Sequence, residues 1–323
     1  MSVTPPRVLG ERPAQPTAPP ADLLDELAST RVVRLRHPWR WVASVIALVL
    51  LAQFVHALIT NPVFQWNAFA YWFFRPVILQ GLVLTLELTG LGALIGLLGG
   101  IVLALMRLSR SPLLQAVSWG YIWVFRSIPL IVLLLFLANV TALYSSLSLG
   151  IPFGPSFVHF STNDVLSFFA AAVLGLGLNE AAYAAEIVRS GIISVDQGQL
   201  EAAAALGLPK FRQYRRIILP QASRAIIPAY ANQLISLLKG TSVVYITSLL
   251  ELFGEVETLA STNSGEIIPL LLVGTVWYII LTTILSILQF YIERYFSRGA
   301  LRTIPPTPFQ RLRARLRTLG VAR

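Results

Sequence analysis

The chain reads as an all-α membrane protein with six spans. Three observations predict this: apolar runs of helix-spanning length recur along it, charged residues are few, and the basic ones gather in alternate connections. Hydrophobic residues make up 55% and charged residues 12% of the 323 positions, and the mean hydropathy is +0.70. Those values suit a polytopic helical protein and not a soluble domain of this length. There is no cysteine, which excludes a disulfide framework, a haem-attachment motif and a cysteine-based zinc site. The formal net charge of +10 would suit nucleic acid, but the placement of the charges points to a bilayer instead.

Residues 1–38 carry Pro5, Pro6, Pro13, Pro16, Pro19 and Pro20 among polar side chains. They read as a disordered tail with a short helix over Ala21–Ala28. No apolar core leads to a small-residue cleavage site, so the tail is not a secretory signal. The first span is Trp41–Ile59, flanked by Arg34, Arg36 and Arg40 and by interfacial Trp39 and Trp41. The second is Val77–Met106, the third Ile128–Tyr144 and the fourth Val165–Val188. The fifth, Ala225–Thr247, carries Asn232, Gln233, Ser236 and Lys239, which predicts a place inside the bundle. The sixth is Ile267–Ile292.

Six spans put both termini on one side, and the charges choose it. Of the 25 Lys and Arg, 22 fall on one face; Arg75 lies on the other, Lys239 towards the outer end of the fifth span, and Arg126 near the boundary of the basic face. The opposite face holds Arg75 with Asp164, Glu251, Glu255, Glu257 and Glu266. The basic face is expected to be cytoplasmic, with both termini on it.

Within the second span Gly92, Gly96 and Gly100 recur every fourth residue, a flat stripe that lets another helix approach closely. Packing within one subunit is the first reading of that stripe, and a contact between subunits the second. Ser111–Phe125, with Trp119, Tyr121 and Trp123, reads as an amphipathic interfacial helix. Arg126, Ser127, Ile128 and Pro129 follow and predict a break: Ser127 can cap and Pro129 suits a first turn.

The longest polar interruption is Glu201–Pro220, EAAAALGLPKFRQYRRIILP. Ser194 and Asp196 offer N-caps and Leu200–Leu206 is almost pure helix former. Gly207 can end that helix at positive φ, Pro209 opens the next, and Pro220 is expected to stop it. Roughly 35 residues separate the flanking spans, where about 2–8 would turn the chain.

Glu201, Ala202 and Ala203, then Gly207 after three residues, then Ile217, Leu219 and Pro220 after nine more, resemble the EAA loop. That loop marks the membrane subunits of binding-protein-dependent ABC importers. The resemblance runs from Gly81 to Glu293 and is closest to the polar amino-acid branch (histidine, glutamine, glutamate, arginine and opine importers). It rests on GLVLTLELT from Gly81, ALMRLS from Ala104, FRSIPL from Phe125, NEAAYAAEI from Asn179, RSGIISVDQGQLEAAAALGL from Arg189 and NQLISLLKGTS from Asn232. Ser127-Ile128 replaces the usual Gly-Thr, and Gly240 replaces the Asp that usually follows Lys239.

The resemblance implies a five-helix transmembrane domain over 77–296, with its coupling loop at 190–222. A further span with its outer loop (39–76) precedes it, and the tails at 1–38 and 297–323 are cytoplasmic. It implies coupling to the ATPase through Glu201, Ala202, Ala203, Gly207, Leu208, Arg215, Ile217, Leu219 and Pro220. The implied partners are two ABC ATP-binding subunits, an extracytoplasmic solute-binding protein, and a second permease copy or sister permease. No cofactor or metal is implied.

Ionisable groups within spans are costly and should face the bundle interior or a water-filled cavity. Glu87, Asn179 and Glu180 are the candidates for the substrate pathway. Arg126, Pro129, Glu186, Lys239, Thr241 and Ser242 are candidates for a gate or for structure, with Glu186 and Arg189 read as a structural pair. The chain has no GxxxxGK[ST], HExxH or GxSxG, so it offers neither a P-loop nor an enzyme signature. Two rivals remain: the same architecture carrying an opine, cystine or compatible solute, and a gradient-driven secondary transporter relaying protons through Glu87 and Glu180.

Overall fold

The computed structural model describes residues 38–151 and 154–296. The predicted tails, with the short helix at Ala21–Ala28, lie outside the described residues from 1 to 37 and from 297 to 323. The chain divides into two units, one ending at Asn61 and one beginning at Pro62. In the first, helix α1 (Pro38–Thr60) has 23 residues. At 1.5 Å per residue that is about 34 Å, enough to cross a bilayer core of about 30 Å.

The second unit is built around a helix pair. α2 (Trp66–Phe73) is short and aromatic, and α3 (Pro76–Arg107) has 32 residues. α4 (Pro112–Ser127) and α5 (Leu130–Ala138) follow, then the short α6 (Val140–Leu143). An antiparallel hairpin, β1 (Ser146–Gly150) with β2 (Ser156–Ser161), pairs Leu147 with Phe160 and Leu149 with Val158. α7 (Thr162–Val165) leads into α8 (Phe168–Ile193). α9 (Gln197–Ala205) and α10 (Lys210–Gln213) form the polar hairpin, and α11 (Leu219–Gly240) returns. α12 (Leu252–Thr262) and α13 (Ile267–Phe296) close the unit.

α1, α3, α8 and α13, the last with the preceding turn, are each long and apolar enough to span a bilayer. Two bent pairs bring the total to six: α4 with α5 at 99°, and Lys210–Thr247 with α12 at 47°. The third span is therefore not the single helix Ile128–Tyr144. Pro129 has no N–H and its ring disfavours a helical residue before it, so α4 ends at Ser127 and α5 starts anew at Leu130. No side-chain cap comes from Ser127, which closes the first helix instead of opening the second.

The glycine stripe packs within the protomer, where α3 meets α8. A Cβ on Gly92 would lie 3.1 Å from Leu176 Cβ, and one on Gly100 only 2.5 Å from Ala184 Cβ. A Cβ on Gly96 would run into the side chain of Glu180. Beside this seam a buried cluster of Leu88, Leu134, Ala172, Leu176, Leu237 and Val244 joins α3, α5, α8 and the end of α11.

A second cluster sits at the acidic end, where α2 packs on α3, α12 and α13 through Ile78, Leu252, Val256, Leu270 and Val273. Trp72 Nε1 donates to Glu266 at 2.6 Å, and Trp277 Nε1 donates to the Phe73 carbonyl at 3.0 Å. Glu251 is fully buried and caps α12, accepting from the backbone of Phe253 and Gly254. It also accepts from Thr85 of α3 and Tyr278 of α13. One carboxylate thereby ties three helices together.

Candidate functional site

The polar hairpin is organised by its caps. The Asp196 side chain accepts from Gln199 N and starts α9. Ser194 instead closes α8, its hydroxyl bonding the Gly191 carbonyl. α9 ends in a Schellman motif: Leu208 N donates to Ala203 O, Gly207 N donates to Ala204 O, and Gly207 has φ +68°. Pro209 opens α10, and Gln213 donates back to the Leu208 carbonyl at 2.8 Å.

Pro220 does not stop the second helix. Residues Tyr214–Ile218 widen into a π-helical turn, and the chain continues through Pro220 into α11. The wider turn frees the Arg216 carbonyl from the proline ring and from an N–H that proline lacks. The hairpin is thus continuous with a spanning helix. A small buried cluster of Val195, Ile218 and Ala222, with Leu200 and Ile226 against it, holds its base, and Gln221 bonds Gln199 across it.

Its far side is open. Ala203 is buried at 3%, but Glu201, Ala202, Gly207, Arg215, Leu219 and Pro220 are exposed, while Leu208 and Ile217 are half-buried. Leu206 is 80% and Phe211 73% exposed, on either side of Gly207. These two were not singled out in the sequence, although apolar residues beside a polar helix-terminating glycine were a usable signal.

The structure separates the predicted pathway residues. Glu180 is 2% exposed and its Oε2 accepts from Gln233 at 3.1 Å. Its Oε1 is buried with no hydrogen-bond partner among the described residues. Glu87 is exposed, half a turn round α3 and roughly 13 Å along it from the Gly96 level at which Glu180 packs. The two carboxylates do not meet within the protomer.

Asn179 is drawn into the break between α4 and α5. Its amide donates to the Phe125 carbonyl at 3.0 Å, the acceptor that Pro129 leaves without its i+4 N–H. Tyr121 donates to the Leu178 carbonyl at 2.9 Å, and the Arg126 guanidinium lies 5.3 Å from the centroid of the Tyr183 ring. Glu186 pairs with Arg189 at 2.6 Å.

Of the four polar residues singled out on α11, Gln233 alone points into the protomer, to Glu180, and the other three do not. Asn232, Ser236 and Lys239, at i, i+4 and i+7, form one exposed stripe, while Tyr230, Leu237 and Leu238 are buried on the other side. The Tyr230 hydroxyl anchors the buried side to the Ala93 carbonyl of α3 at 2.6 Å. Thr241 is buried and bonds the Leu238 carbonyl, and Ser242 bonds that of Lys239. Both hydroxyls are occupied by carbonyls of the last turn of α11.

Residues 96–298 match the family described as binding-protein-dependent transport system inner membrane component. The chain belongs to that family. The arginine transport system permease protein ArgU of Corynebacterium glutamicum is 44% identical over 272 residues, 84% of either chain. The probable amino-acid permease protein YxeN of Bacillus subtilis is 38% identical over 69% of this chain and 92% of its own. Among solved structures, one described as an amino acid ABC transporter with histidines superposes with a TM-score of 0.58 at 33% identity, over 68% of this chain and 94% of that one.

Proposed function

We propose that this permease subunit passes a polar amino acid, or a close derivative, across the cytoplasmic membrane, driven by ATP hydrolysis in separate partner subunits. One observation carries the reading. A capped, rigid hairpin presents exposed Leu206 and Phe211 around Gly207 and runs without interruption into a helix with an exposed polar stripe. A partner that grips the hairpin therefore moves the stripe.

The stripe of Asn232, Ser236 and Lys239 is costly against lipid and suits a water-filled path closed by a second permease copy or sister permease. Glu180 stands behind it through Gln233, and Glu87 faces outward where that second copy would lie. An extracytoplasmic solute-binding protein delivers cargo at the acidic face, and both termini lie at the basic, cytoplasmic one. The relatives' cargo favours an arginine-like or acidic amino acid. A proton relay from Glu87 to Glu180 would need the two carboxylates close together, so the gradient-driven reading has no support within one protomer.

The test is Gly207→Glu in the assembled importer. Uptake and partner ATPase stimulation should both fall at least tenfold while the subunits still co-purify. Intact coupling in that variant sinks the hairpin's assigned role. Binding of arginine, glutamate and opines to the partner solute-binding protein then assigns the cargo.

A further inference from the structure

One group of side chains is used by neither the hairpin nor the polar stripe. Arg107 ends α3 and Arg126 lies in the last turn of α4. Both line a cleft of about 240 Å³ together with Trp119, Trp123, Ser127 and Glu186. Trp119, Trp123 and Arg126 share one face of α4, at i, i+4 and i+7. The two indoles stack with planes 4° apart and centroids 6.1 Å apart, and they are 53% and 60% exposed.

The charges in this cleft are not balanced by the protein. Among the described residues Arg126 has no carboxylate partner; its contact is the face of Tyr183. Arg107 reaches only the Gln115 carbonyl, at 3.5 Å. The single acid in the cleft, Glu186, is already taken by Arg189. An uncompensated pair of guanidinium groups at the basic end of spanning helices needs an anion, and the exposed indoles beside it suit acyl chains and the headgroup boundary.

We propose that this cleft is a binding site for the phosphate headgroup of an anionic phospholipid, such as phosphatidylglycerol or cardiolipin. Arg107 and Arg126 clamp the phosphate, which accepts from the Ser127 hydroxyl, and the acyl chains run over Trp119 and Trp123. Basic pockets between helices on the cytoplasmic side hold such headgroups in other membrane proteins. The lipid would bear on the bend between α4 and α5, which Asn179 fixes from the other side.

The full chain is purified into detergent, and bound phosphatidylglycerol, cardiolipin and phosphatidylethanolamine are counted by native mass spectrometry. Anionic lipid should be enriched about tenfold over phosphatidylethanolamine. Arg107→Gln and Arg126→Gln should each lower that retention roughly fivefold, and Arg224→Gln, an equal loss of charge elsewhere, should leave it unchanged. Glu186→Gln should raise it. Inorganic phosphate at millimolar concentration should fail to displace the lipid; ready displacement would reduce the site to a free-phosphate site and overturn the assignment.

Equal retention of anionic and zwitterionic lipid, or no loss in the double Arg variant, overturns it as well. Should the variants not fold, a photoreactive phosphatidylglycerol on the unaltered protein decides. Labels within residues 107–127 support the site, and labels confined to other segments refute it.

Discussion

The seam between α3 and α8 and the hairpin of α9 and α10 are built from the same small residues and do opposite things. In the seam, Gly96 and Gly100 face Glu180 and Ala184 so closely that no side chain fits between the backbones. In the hairpin, Ala202, Ala204 and Ala205 are exposed and Gly207 has nothing within 4 Å of where a Cβ would stand. Small residues buried between helices let them lock together; small residues on a surface leave a thin helix free to enter a partner's groove. One protein therefore contains a rigid frame and an open, projecting hairpin, the proposed handle, distinguished by what stands opposite the glycine.

The frame is tested first because its failure should be largest. Gly100→Leu must displace the backbone of α8 as well as Ala184, and should cost about 3 kcal/mol, the upper end for overpacking. Gly90→Leu, on the open side of α3 where nothing lies within 4 Å, should stay within about 0.5 kcal/mol. Thermal unfolding and monodisperse yield in detergent measure both. Equal behaviour of the two variants would mean that the seam is not what holds the unit together.

Next comes the junction that fixes the broken crossing to that frame. Asn179→Ala leaves the Phe125 carbonyl with neither an amide nor a backbone N–H, a loss of about 1–2 kcal/mol for a half-buried acceptor. Pro129→Ala restores an N–H four residues after Phe125. The double variant should therefore recover about 1 kcal/mol relative to the sum of the singles. Strict additivity in that cycle would show that Asn179 does not substitute for the missing donor.

How much of this was legible in the sequence follows from how local each cause is. Asp196, Gly207 and Pro209 act within a few residues of their own backbone, so the hairpin could be read directly. The four-residue glycine period announced a close helix contact, though not that Glu180 would lie against Gly96. The course of the chain through Pro220 was misread, because a proline usually ends a helix and nothing local signals the π-helical turn that accommodates it. Glu251 was read only as one of the acids on the outer face, its buried tie between helices being missed, and Trp72 was not singled out. Glutamate is not a favoured N-cap, and their partners lie 166 and 194 residues away. The exposed stripe on α11 was visible as polarity but assigned to the bundle interior, since sequence polarity tells which face avoids lipid and not whether the same chain covers it.

The handle supplies the smaller effects. Gly207→Ala should cost the isolated subunit about 1 kcal/mol, from left-handed strain alone, since the added methyl meets no atom. The same substitution at Gly100 puts a Cβ 2.5 Å from Ala184, so the pair separates backbone strain from collision at the two kinds of glycine. Proteolysis within 197–213 should report the first, and global unfolding the second.

Leu206→Ser and Phe211→Ser should alter the protein alone least of all. Both side chains project from the hairpin, 80% and 73% exposed, and their removal should leave stability within about 0.5 kcal/mol. Loss of function should nevertheless match that of Gly207→Glu, because an apolar contact that is fully desolvated only in a complex contributes only there, at roughly 1.5–3 kcal/mol for each large side chain. Uptake and stimulation of the proposed ATP-binding partner measure it, with Leu219→Ser as the comparison: Leu219 is also exposed, at 53%, but stands beyond the π-helical turn. If the Leu219 variant weakens docking as much as Phe211→Ser, the grip extends along α11 and is not confined to the hairpin tip. If only the tip variants fail, the partner holds the handle and leaves the shaft free to tilt.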